Sequence, residues 1–95
     1  MRGPETRLRK KIVEEIKKEY PQAIVWKFHG GPYQITGIPD LYILHRGISF
    51  WLEIKRPGGK ATPLQIERIK EVNSAGGFAA VVTSIGEALD FILSH

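Results

Sequence analysis

The chain has 95 residues, 42% of them hydrophobic and 25% charged, a balance that fits one compact domain over residues 1–95 and excludes a disordered segment. With no cysteine it excludes disulfide frameworks, thiolate zinc sites and cysteine nucleophiles, so any metal must be held by oxygen or imidazole. A formal charge of +4 favours a polyanionic partner, and the lack of any apolar run near membrane-span length leaves a cytoplasmic protein with no membrane partner as the expectation.

Residues 5–20, ETRLRKKIVEEIKKEY, repeat apolar side chains at Leu8, Ile12, Ile16 and Tyr20, with Val13 beside them. That period of about 3.6 predicts an amphipathic helix, stopped before Pro21. AIVWKF, residues 23–28, is rich in β-formers and predicts a strand, and HGGPYQITGIP after it predicts a loop. Two further strands follow, turning at Arg46-Gly47. Thr62, Pro63 and Gln65 carry the signature of a capped helix start, and Gly76-Gly77 its end. FAAVVTS, residues 78–84, is a nearly continuous apolar run, as for a strand buried on both faces. Ser84 and Glu87 predict a second capping box, opening a last helix. The order αβββαβα predicts an α/β fold, a small mixed sheet flanked by helices on both faces.

The stretch GIPDLYILHRGISFWLEIKR, residues 37–56, stands out because Asp40, Glu53 and Lys55 interrupt otherwise apolar strands. Positions two apart share a face of a strand, so Glu53 and Lys55 point the same way. Two readings are open. The pair is either a surface ion pair on an edge strand's wet face, worth roughly 0–1 kcal/mol, or part of a site in which Asp40 and Glu53 converge on a hard divalent cation.

Pro39-Asp40, a strand, Glu53-Ile54-Lys55 and then Gln65 at a helix start together resemble the PD-(D/E)xK nuclease superfamily. Within it, GIPDLYIL, FWLEIKRPGGKATPLQ and GGFAAVV resemble the small VRR-NUC (virus-type replication-repair nuclease) domain, over nearly the whole chain and in the right order. The resemblance implies a restriction-endonuclease-like fold and a magnesium- or manganese-dependent deoxyribonuclease, found inside phages, bacteria or archaea. It implies that Asp40 and Glu53 are metal-binding acids, that the Ile54 carbonyl is a further ligand, and that Lys55 is the catalytic lysine. Gln65 matches a glutamine of this subgroup, although its capping position accounts for it as well. Free-standing members are similar to dimeric nucleases acting on branched DNA such as four-way junctions in repair, which implies a homodimer here. A non-catalytic nucleic-acid-binding module with the same fold is the alternative from another class.

The superfamily also tends to carry an acid on its first helix. Taking 100° per residue, Ile12 and Ile16 fall within roughly 20° of Glu5, and Glu14 on the opposite face, which selects Glu5. Glu5 also precedes Leu8 in an ExxL arrangement similar to junction resolvases; its other role is to complement the helix dipole. His29, His45 and His95 lack metal-ligand spacing, His29 being a candidate phosphate contact, and Trp26 and Trp51 are expected to pack the core. For DNA the candidates are Lys27, Arg56 and Lys60, the last two in a glycine-rich loop that can approach a phosphate backbone.

Overall fold

The computed structural model describes residues 3–28 and 35–95. The proposed phosphate contact of His29 lies outside them. The elements are α1 (Pro4–Glu19), β1 (Ile24–Lys27), β2 (Leu41–His45), β3 (Ile48–Ile54), α2 (Pro63–Ser74), β4 (Phe78–Val82) and α3 (Ile85–Leu93), in the expected αβββαβα order. The four strands form one sheet in the order β1-β2-β3-β4; the first two pairings are antiparallel and β3 pairs with β4 in parallel. Among the described residues no helix is long and apolar enough to cross a membrane.

The core lies on one face of this sheet. Ile12, Val13 and Ile16 of α1 and Ala88 and Ile92 of α3 pack against Leu41, Ile43, Phe50, Leu52, Ile54 and Val82. Alternation explains the choice, because these strand residues are two apart along each strand and share rows across the sheet. Helix α2 lies against β3 and β4 and buries no residue fully. It is held instead by polar ties. Arg68 Nε donates to the Thr36 carbonyl at 3.1 Å, and the Asn73 side chain bonds the Ala79 backbone; the helix start itself carries the expected Thr62–Gln65 capping box.

Three expectations change. β4 is an edge strand, not a strand buried on both faces, and Val81 is 38% exposed. The Asn73 side chain protects that edge by accepting from the Ala79 N–H at 2.8 Å and donating to the Ala79 carbonyl at 3.1 Å, which occupies both backbone groups. At α3, Ser84 Oγ accepts from the Glu87 N–H, but the Glu87 carboxylate accepts from the Thr83 N–H and hydroxyl, one residue earlier than a capping box requires. Neither tryptophan packs the core: Trp26 is 57% exposed, and Trp51, half-buried, lies on the sheet face opposite to Leu52.

The β2–β3 turn contains only Arg46 and Gly47, with φ of +55° and +79°, the left-handed pair that suits the twist of a two-residue hairpin. Arginine has no local side-chain compensation for this conformation, whereas asparagine adopts it readily. Arg46→Asn is expected to raise stability by roughly 1 kcal/mol, read as a higher urea midpoint at unchanged slope. Leu52, fully buried between Leu41 and Ala80 in its row, gives the opposite case. Leu52→Ala is expected to lose about 2–5 kcal/mol in the same measurement.

Candidate active site

The hairpin register builds the site. Tyr42 lies opposite Trp51 and Leu41 opposite Leu52. Carried one step further, that register sets Asp40 opposite Glu53, and one more sets Pro39 opposite Ile54. The Asp40 carbonyl accepts from the Phe28 N–H at 2.7 Å, so the Asp40 backbone turns toward β1. The 40–53 position is therefore a non-hydrogen-bonded pair, the kind in which facing side chains come closest.

Pro39 has no N–H to give the Ile54 carbonyl, and the ladder stops there. The Ile54 N–H is taken instead by the Asp40 side chain, whose Oδ2 accepts it at 2.9 Å. A strand residue's N–H and C=O point to the same neighbour, so the Ile54 carbonyl lies on the Asp40 side without its ladder donor. The loop before Pro39 is seated by Gly37, at φ +82°, where a Cβ would meet Leu64 Cγ of α2 at 2.8 Å.

Glu53 is 2% exposed, the one buried charged residue among those described. Its Oε2 lies 3.5 Å from Lys55 Nζ, and its Oε1 is buried with no hydrogen-bond partner. Burial pushes its carboxyl up to about 7, the negative charge of Asp40 pushes the same way, and Lys55 only partly offsets both. Two ionised carboxylates and one ammonium would leave a net negative charge in a place shielded from water. A divalent cation would reverse that sign, and a phosphodiester would then neutralise it.

That donor set fits a hard cation: two carboxylates, one with an orphaned oxygen, and a carbonyl freed by proline. Lys55 stands beside it on the same face with its side chain 13% exposed. The other candidates are placed differently. Gln65 Oε1 accepts from the Thr62 N–H at 2.8 Å and is committed to the helix cap. Glu5 is half-buried in the first turn of α1, and no described group of three or more His, Asp or Glu could hold a metal, so it does not join the pair. Arg56 and Lys60 are exposed just after Lys55, where the Gly59 N–H closes a turn onto the Arg56 carbonyl at 2.8 Å. Lys27 shares its row with Leu41 and Leu52, which puts it on the core face, opposite to Asp40 and Glu53.

Sequence reasoning missed the role of Pro39 as a ladder stop. The signal was present, since counting back from a two-residue turn at Arg46-Gly47 pairs 39 with 54 and 40 with 53. It also missed the row Trp26–Tyr42–Trp51, which the same count would have aligned.

Solved structures share this architecture. One, described as a VRR_NUC domain, superposes with a TM-score of 0.77 at 24% identity, covering 96% of this chain and 96% of its own. A second, described as a VRR_NUC domain protein, gives 0.75 at 22% identity, over 94% of this chain and 84% of its own. The chain thus has the fold of VRR_NUC domains, as its motifs imply. No family model and no curated protein matches the sequence.

Because the folded-state pKa of Glu53 lies above its unfolded value of 4.5, its contribution to stability is fully present below pH 4.5 and is lost as pH rises through about 7. Glu53→Gln mimics the protonated form. In metal-free buffer it is expected to match wild type near pH 4.5 and to exceed it by about 3 kcal/mol above pH 7, measured by denaturant unfolding.

Proposed function

We propose that this protein is a metal-dependent, structure-selective DNA endonuclease that hydrolyses phosphodiester bonds, acting as a homodimer on branched DNA such as four-way junctions. The observation that carries the reading is the buried Glu53 with an orphaned oxygen, set opposite Asp40 and beside Lys55, on a fold shared with VRR_NUC domains. Asp40, Glu53 and the Ile54 carbonyl would hold Mg2+ or Mn2+. When bound, such an ion lowers the pKa of water and offsets charge building on the phosphorus.

The protein's own groups supply the rest. Asp40 is fixed by the Ile54 N–H, so its second oxygen is oriented before any ligand arrives. Lys55 as an ammonium has three donors and no acceptor, so it stabilises the developing negative charge on the phosphate oxygens. Glu53 must give up its proton to serve as an anionic ligand, so metal binding strengthens as pH rises. Arg56 and Lys60, exposed on the loop after Lys55, contact the backbone phosphates and make binding salt-dependent. Support for the homodimer and for branched substrates is the resemblance to dimeric junction nucleases, together with the small surface one 95-residue chain offers to branched DNA.

The test is cleavage of linear, flapped and four-way DNA with Mg2+ or Mn2+. Asp40→Ala and Lys55→Ala are each expected to lose about 100-fold or more in rate while still binding DNA. Wild-type protein that cuts none of these substrates with either metal overturns the reading.

A further inference from the structure

The face that carries Asp40 and Glu53 also carries a row of aromatic rings. Trp26, Tyr42 and Trp51 lie opposite one another across β1, β2 and β3, with ring centroids 5.5 Å and 4.8 Å apart. Phe28 stacks on Trp51 at 5.6 Å with the planes 15° apart. A 2.9 Å hydrogen bond between the Tyr42 hydroxyl and Ser49 Oγ orients the central ring. At its inner end, Trp51 forms a wall of a cavity of about 390 Å³ that also includes Ile38, Pro39, Arg68 and Glu71. Helix α2 packs over β3 and β4, and the outer ring of the row, Trp26, is 57% exposed.

Tyr42 and Trp51 are half-buried, so Trp26 presents the free ring of the row to solvent, backed by the other two. Its neighbours identify the occupant. The next row on the same face, two residues along each strand and so about 7 Å away, is Phe28–Asp40–Glu53, with Lys55 beyond it. A ligand on the rings therefore meets the acid pair and an ammonium within one nucleotide's reach. The chain's charge of +4 favours a polyanion. A paired base has both faces occupied within the duplex, so only an unpaired one can use such a row.

We propose that Trp26, backed by Tyr42 and Trp51, is a stacking platform for an unpaired nucleobase, holding a single-stranded or frayed DNA segment against the Asp40–Glu53 pair. This rests on the nuclease reading and narrows its substrate to DNA with an unpaired stretch beside the cut. The test measures anisotropy of a labelled oligothymidylate and of a blunt duplex, with Ca2+ replacing Mg2+ so that binding is read without cleavage. Wild type is expected to bind the oligothymidylate with quenching of tryptophan fluorescence. Trp26→Ala weakens that binding about 10-fold or more and leaves duplex binding unchanged, and Trp26→Phe restores most of it. Wild type that fails to bind oligothymidylate, or Trp26→Ala that binds it normally, overturns the proposal. Trp26→Ala that turns a dimer into a monomer by light scattering also overturns it, since the row is then an interface between copies. The two readings fail separately: loss of cutting in Asp40→Ala with normal oligothymidylate binding by Trp26→Ala removes the platform alone. A Trp26-dependent single-strand binder that never cuts removes the nuclease alone.

Discussion

The register of the β2–β3 hairpin is the constraint on which the site depends. Two residues, Arg46 and Gly47, close the turn in left-handed conformations, and every cross-strand partner follows from that closure. A slip of one residue would send Asp40 and Glu53 to opposite faces of the sheet and put either Leu41 or Leu52 in water. The buried Leu41–Leu52 and Ile43–Phe50 rows make such a slip expensive. Hydrophobic packing on one face thereby holds the chemistry on the other.

What the register brings together is unfavourable by itself. Two carboxylates directly opposite each other repel, and burial of one adds a desolvation cost. The fold bears this through three local features: the Ile54 N–H offered to Asp40, the Lys55 ammonium beside Glu53, and the proton that Glu53 retains up to about pH 7. None of them satisfies Glu53 Oε1. A carboxylate oxygen left buried and unpaired is a residual strain that a bound cation would remove, and removal of strain by ligand raises both affinity and stability.

The two faces of the sheet are built to different standards. Helices α1 and α3 close one face with aliphatic packing, whereas α2 is pinned on the other by Arg68 on Thr36 and by Asn73 on the β4 edge. A helix held by polar ties leaves gaps, and the aromatic row and the cavity beside Pro39 lie in them. The proposed site lies on the thinly covered face, where access removes nothing from the main core.

The sequence by itself determined the order of elements, the core stripe of α1, the first helix cap and the residue types of the site. These rest on local periodicity and on chemistry that short spacing expresses, as with Ile12 and Ile16 or Thr62 and Gln65. It held the pairing of Asp40 with Glu53 as well, through the length of one turn. Only the tertiary structure decided that β4 is an edge, that Glu5 stands apart from the acids, and that α2 stops short of covering Trp26. Coverage of a face depends on packing between elements far apart in the chain, and an apolar or aromatic residue reads the same in sequence whether a helix lies over it or not.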